Sequence, residues 1–238
     1  MTRKITERYE EYYEKYRSQI IDDMLNQYIN SNTFLLDAGC GFGTRTNKYA
    51  PYVSEYFGVD VSLEELKIAN KRNTHKNASF INSDLEYLPF KSKTFDTIIC
   101  FYVVEHLELP LSVFKEFNRV LIDNGVLLII TPNALSLFGL ISKFFIPFSL
   151  QKKIEKRLGH TMSFPTFYRA NTVSKLDNLL RLRKNNLKRI QLEMVHHFLF
   201  YKPMPLLVIG IILKKVTDWT VFCRFKNCIY AIYQKQEI

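Results

Sequence analysis

Phe34-Leu35-Leu36-Asp37-Ala38-Gly39-Cys40-Gly41-Phe42-Gly43-Thr44 decides the fold of this chain. An apolar run reaches an acid and passes directly into glycines spaced G-x-G-x-G. The run reads as a buried parallel strand and the glycines as the sharp turn after it. Without a Cβ the turn can adopt positive φ, and a ligand can lie on its backbone. A helix opening near Thr44 is expected to aim its first N–H groups at that ligand.

The next apolar stretch, Ser54 to Val59, ends at Asp60, 17 residues after Gly43. An acid at the tip of a second strand can accept hydrogen bonds from a ribose diol. A dinucleotide fingerprint needs G-x-G-x-x-G; here the third glycine comes one residue early and Thr44-Arg45 follow it, so no pyrophosphate is implied.

Outward from this core, strands are expected near 33–38, 54–60, 78–82, 95–101 and 125–131, with helices near 44–51, 62–73 and 110–122. Alternation of this kind gives an α/β, doubly wound, mostly parallel sheet with helices on both faces. Asn124-Gly125 reads as a turn into the fifth strand. Before the sheet, Tyr9, Tyr12, Tyr13, Tyr16, Ile20, Ile21, Met24, Leu25 and Tyr28 fall at helical spacing, giving one or two amphipathic helices within residues 1–32. After residue 133 the rhythm breaks. A helix near 172–184 and strands near 188–200 and 227–234 complete a seven-stranded sheet. One domain is expected: N-terminal helices (1–32), a ligand-binding core (33–133), an inserted lid (134–171), and a C-terminal part (172–238) interrupted by a second insertion (203–219).

The chain has 238 residues, is 47% hydrophobic and carries a net charge of +10. The charge is local: residues 143–189 hold 12 Lys and Arg against Glu155 and Asp177, and the remainder sums to zero. The charged start and the lack of a ~20-residue apolar run argue against a secretory signal or a spanning helix. Cys40, Cys100, Cys223 and Cys228 lack metal-ligand spacing, consistent with a reduced, cytoplasmic protein.

Five ordered segments, D-A-G-C-G-F-G-T (37–44), G-V-D-V-S (58–62), S-D-L-E-Y-L-P-F (83–90), F-D-T-I-I-C-F-Y-V-V-E-H-L (95–107) and N-R-V-L-I-D-N-G-V-L-L-I-I-T-P-N (118–133), resemble the motifs of class I S-adenosylmethionine-dependent methyltransferases. The branch they resemble includes the quinone-biosynthesis enzymes. The resemblance implies a Rossmann-like fold with an antiparallel last strand, S-adenosylmethionine as methyl donor and S-adenosylhomocysteine as product. It places the donor's methionine part on Gly39, Cys40, Gly41 and Gly43. Asp37 would bond loop amides or the donor's ammonium. Asp60, with Val61 beside it, would take the ribose, Asp84 the adenine amine, and Leu85 the adenine ring. Phe101, as a donor-binding residue, and Tyr102, as an acceptor-side residue, lie at the end of the fourth strand, where an aromatic face can attract a sulfonium; plain core packing is the alternative. Each acid has an alternative as a helix or turn cap.

Glu105-His106 is the acid/base candidate, with helix capping as its alternative. Asn- or Asp-Pro-Pro-Tyr, the motif of many nucleic-acid base N-methylases, is absent. A Glu-x-x-Glu-His metal site found in some quinone O-methyltransferases is broken here by Tyr102, so no metal is expected. Gly159-His160-Thr161 and Phe164–Thr172 resemble a lid segment of bacterial methyltransferases, in which His160, Tyr168 and Arg169 could hold the acceptor; Asn171-Thr172 could simply start a helix.

The acceptor is expected to be small or lipid-like and methylated at oxygen. Apolar 135–150 followed by Lys152, Lys153, Lys156 and Arg157, and apolar 204–213 followed by Lys214-Lys215, suit peripheral contact of 135–157 and 203–219 with a cytoplasmic membrane face. A buried substrate cap or a homodimer interface are the alternatives. Nucleic acid is disfavoured because no RNA-binding module is present, although the basic patch leaves an RNA methyltransferase as the second reading. A non-catalytic partner protein on the same fold is the third.

Overall fold

A computed structural model describes residues 2–136, 165–181, 185–195 and 225–237. Within them the expected alternation is realised. Helix α1 (Thr2–Leu25) leads through a 3-10 turn to β1 (Phe34–Ala38). Then come α2 (Thr46–Tyr49), β2 (Glu55–Asp60), α3 (Leu63–Arg72), β3 (Ala78–Asn82), β4 (Phe95–Phe101), α4 (Pro110–Val120) and β5 (Leu121–Pro132). Helix α5 (Val173–Arg181), β6 (Leu187–Val195) and β7 (Cys228–Lys235) follow.

The seven strands form one sheet in the order β3-β2-β1-β4-β5-β7-β6. Strands β1 to β5 are parallel, and β7 runs antiparallel to both β5 and β6. The strand order reverses between β1 and β4, and in open α/β sheets ligands bind at such a switch point, beyond the carboxyl ends of the strands. The glycine loop after β1 and Phe101-Tyr102 at the end of β4 flank it.

Side-chain alternation divides the core between the two faces. Ile98 and Cys100 of β4 join Leu127 and Ile129 of β5 under Val113, Phe114 and Phe117 of α4 and Leu176 and Leu180 of α5. Ile99 and Phe101 join Leu128, Ile130, Tyr230 and Ile232 under Met24 and Leu25 of α1. Helix α4 buries Pro110, Val113, Phe114, Phe117 and Val120 on one stripe, each large side chain contributing roughly 1.5–3 kcal/mol.

Two local expectations are corrected. The helix after the glycine loop is a single α-turn, Thr46–Tyr49, continued as a 3-10 turn over Ala50–Tyr52. Pro51 has no N–H to extend the α-ladder. The Thr46 N–H is taken by the Gly43 carbonyl and those of Lys48 and Tyr49 by the Arg45 carbonyl, so these three amides are satisfied within the turn. Asn124-Gly125 lies inside β5 rather than before it. The β4–β5 pairing jumps from Phe95↔Leu121 to Thr97↔Val126. The surplus residues bulge, with Asn124 at φ 64. A Cβ on Gly125 would stand 2.9 Å from the Ile122 carbonyl oxygen and 3.0 Å from that of Asp96, which is why glycine sits there.

Helix α5 starts where Thr172 caps it, its Oγ1 accepting the Lys175 N–H at 3.2 Å. Residues 137–164 of the expected lid (134–171) and the whole expected second insertion (203–219) lie outside the described residues. Among the described residues no helix is long and apolar enough to cross a membrane.

Candidate donor and acceptor site

The loop after β1 takes the left-handed turns that its glycines predict: Gly39, Gly41 and Gly43 have φ of 74, 52 and 66. It is tied down at both ends. The N–H groups of Gly39 and Cys40 both donate to the Val59 carbonyl, at 2.8 and 3.1 Å. The Gly41 N–H donates to Asp60 Oδ2 at 2.8 Å, and Asp60 Oδ1 accepts the Ser62 N–H at 2.9 Å. Asn82 Nδ2 bonds the carbonyls of Asp60 and Val61 from β3. Asp60 is thus held at the strand tip by backbone on both sides. A carboxylate has about four lone-pair sites, so these two bonds leave capacity for a ribose.

The cradle is closely fitted. A Cβ on Gly39 would stand 2.2 Å from Val103 Cγ2, and one on Gly41 2.9 Å from Glu65 Oε2. Burial, and then the nearby Asp60 charge, hold the Glu65 carboxyl above its usual range. Beside the loop, Val61 is 58% exposed and Leu85 is buried. Asp84 is exposed, and its Oδ1 accepts the Glu86 N–H at 2.9 Å, a local turn of the kind weighed as its alternative.

Asp37 behaves differently from expectation. It is fully buried, and its oxygens bond neither loop amides nor open space. Arg45 grips it bidentately, with Nε 2.8 Å from Oδ2 and Nη2 2.8 Å from Oδ1, and Tyr56 donates its hydroxyl to Oδ2. Arg45 Nη2 also reaches the Gly39 carbonyl at 2.8 Å. Burial alone would lower the Arg45 pKa, but the Asp37 carboxylate more than offsets this and raises it. The guanidinium lies 5.4 Å from the Phe101 ring centroid, so one face of the ring expected to meet a sulfonium already carries a cation. Sequence reasoning passed over Arg45. The usable signal was a cation directly behind an apolar strand and glycine turn, where burial demands a counter-charge.

At the tip of β4, Tyr102 adopts φ 59, unusual for a non-glycine residue. Its N–H bonds the Ile130 carbonyl at 2.8 Å. Its hydroxyl accepts from Arg17 Nη2 at 3.2 Å, while Arg17 Nε donates to the Tyr230 hydroxyl at 3.2 Å. Arg17, from α1, is a second residue that sequence reasoning missed.

The Glu105-His106 pair is split. The Glu105 side chain is buried and accepts the Thr131 hydroxyl at 3.0 Å; Asn171 Nδ2 in turn donates to Thr131 Oγ1 at 2.6 Å. Burial raises the Glu105 carboxyl above the usual carboxylate range. Its backbone carbonyl accepts the N–H groups of Phe167 and Tyr168. Glu105 therefore anchors the 165–171 segment, and the acid/base expectation rests on His106. There Nδ1 lies 3.0 Å from the Pro165 carbonyl. A carbonyl only accepts, so Nδ1 carries the proton and Nε2 is the basic nitrogen.

Of the expected acceptor residues, Tyr168 is 42% exposed with φ 50. Arg169 donates to the Glu108 carbonyl at 2.7 Å and lies 5.4 Å from the Phe167 ring centroid, so it braces the segment. His160 lies outside the described residues. Among the described residues no group of three or more His, Cys, Asp or Glu could hold a metal ion.

Residues 36–129 match the model of a methyltransferase domain. Over 132 residues (55% of this chain and 49% of the relative) the sequence is 33% identical to the uncharacterized protein MJ1252 of Methanocaldococcus jannaschii. It is 29% identical over 102 residues, 43% of this chain and 36% of the relative, to the probable S-adenosylmethionine-dependent methyltransferase Rv3030 of Mycobacterium tuberculosis. The matches thus span less than half the length of these curated relatives. The fold is similar to the crystal structure of YcgJ from Bacillus subtilis, with a TM-score of 0.61 at 21% identity over 90% of this chain and 97% of that one. These likenesses give a methyltransferase-domain match over residues 36–129 and a shared fold, and do not single out a quinone-biosynthesis branch.

Proposed function

We propose that this chain transfers a methyl group from S-adenosylmethionine to the oxygen of a small or lipid-like acceptor. The observation that carries the reading is the β1–β2 cradle: three left-handed glycines, with Gly41 bonded to Asp60 at the tip of β2. The donor supplies an electrophilic methyl on a sulfonium. The chain's own residues hold and orient it: Gly39 to Gly43 along the methionine part, Asp60 on the ribose, and Asp84 with Leu85 at the adenine. Asp37, locked by Arg45, stiffens the loop from beneath. In-line displacement depends strongly on such alignment. His106, whose Nδ1 meets the Pro165 carbonyl, would take the acceptor's proton.

Isothermal titration with S-adenosylmethionine tests the reading. Binding is expected; folded protein that takes up no donor would remove it. Membrane contact through 135–157 and 203–219 is part of the same proposal, motivated by their apolar and basic sequence. Co-sedimentation with anionic vesicles tests it, and protein left in the supernatant would favour a buried cap or dimer.

A further inference from the structure

We propose that Arg17, Tyr102 and Tyr230 form the acceptor-recognition corner of the site and select an acceptor bearing a carboxylate. The inference rests on the donor reading above and adds the chemical class of the other substrate.

The argument starts from position. Most residues assigned to the donor, Gly39 to Gly43, Asp60, Asp84 and Leu85, stand at the tips of β1, β2 and β3, and Phe101 at the end of β4 borders them. Arg17 bridges Tyr102, directly after β4, and Tyr230 in β7. Phe101 pairs with Ile130, and Ile130 with Tyr230, so the two tyrosines stand level at the carboxyl end of β4 and β5. The cation therefore lies on the other side of the switch point, where the second substrate must approach.

The chemistry follows from the hydrogen bonds. Arg17 has five N–H donors and no acceptor. Within the protein it meets two phenol oxygens and Glu14, whose side chain is 57% exposed while that of Arg17 is 13% exposed. The tyrosines stay neutral hydroxyls: burial is the main cause raising the pKa of each. Among the described residues the corner thus carries one positive charge beside two neutral phenols, with Glu14 as its anionic partner on the solvent side. A guanidinium fork flanked by phenols fits a carboxylate in bidentate geometry. Tyr102 is held in a left-handed conformation that a tyrosine rarely adopts, and such outliers concentrate where a side chain must be aimed.

The test uses the whole chain saturated with S-adenosylhomocysteine, titrated with laurate and, separately, with dodecanol. Laurate is expected to bind the wild type, to lose at least tenfold in affinity in Arg17→Gln, and to lose less in Arg17→Lys. Dodecanol binding and the affinity for S-adenosylhomocysteine should change by less than twofold. Equal laurate binding by Arg17→Gln would overturn the inference. So would failure of laurate to bind a wild type that binds S-adenosylhomocysteine. Loss of S-adenosylhomocysteine affinity in Arg17→Gln would assign the guanidinium to the donor and overturn it equally. Tyr102→Phe, which keeps the ring, should weaken laurate binding with an unchanged melting temperature; a lower melting temperature with unchanged laurate affinity would make the cluster a helix pin. Absence of S-adenosylhomocysteine binding in the wild type would instead sink the donor reading.

Discussion

Arg45 reaches back to Asp37 and closes both of its oxygens, so the acid beneath the glycine loop is consumed by the protein itself. The pair is nearly water-free: the Asp37 side chain is 0% exposed and that of Arg45 20%. Removing one partner strands a buried charge. Arg45→Met is expected to cost roughly 3–5 kcal/mol in urea unfolding, and Asp37→Asn combined with Arg45→Met should recover much of that. Additive losses in the double variant would contradict the pairing.

Asp60→Ala removes the acceptor for the Gly41 and Ser62 amides together with the expected ribose contact. Donor affinity should fall by about 1–3 kcal/mol, the cost of unpairing buried polar groups, read by calorimetry. The loss should be smaller for Asp84→Ala, because Asp84 is exposed.

Gly39→Ala meets two obstacles, φ 74 and a Val103 methyl 2.2 Å from the new Cβ. Trimming Val103→Ala relieves only the second. The double variant should therefore remain less stable than Val103→Ala alone by about 1–2 kcal/mol, the left-handed penalty. Equal melting temperatures would show that the clash was the whole effect.

The buried Glu105 carboxyl sets a pH dependence. Its folded pKa is raised above the ordinary 4.5. A raised pKa stabilises the fold fully below the unfolded value and loses that contribution as pH climbs through the folded one. Relative to Glu105→Gln, the wild type should be at its best below pH 4.5 and should lose ground steadily above it. Denaturant midpoints of both proteins, taken from pH 4 to 8, measure the difference; a gap independent of pH would refute the assignment.

The central strands were the legible part of this sequence because β1, β2, β4 and β5 are largely apolar runs. Ile98, Ile99, Leu127, Leu128 and Ile129, all fully buried, could belong nowhere else. Asp60 was legible for the same reason: its place follows from the strand before it. Side-chain pairing across long separations was not. Nothing local in Asp37 shows that Arg45 and Tyr56 consume it, and Glu105 beside His106 reads as catalytic until Thr131 and Asn171 are seen to draw it inward. The shortness of α2 follows from Pro51, which ends the α-ladder after one turn.

Strand β6 meets the sheet only through β7, and β7 wedges between β5 and β6. The ribosome releases β6 before the strand it must pair with exists. Until residues 228–235 emerge, β5 presents the apolar run Val126–Ile130 as an unprotected edge, a template for pairing with another chain. Strand β7 is therefore the element that both covers the apolar edge of β5 and joins β6 to the sheet.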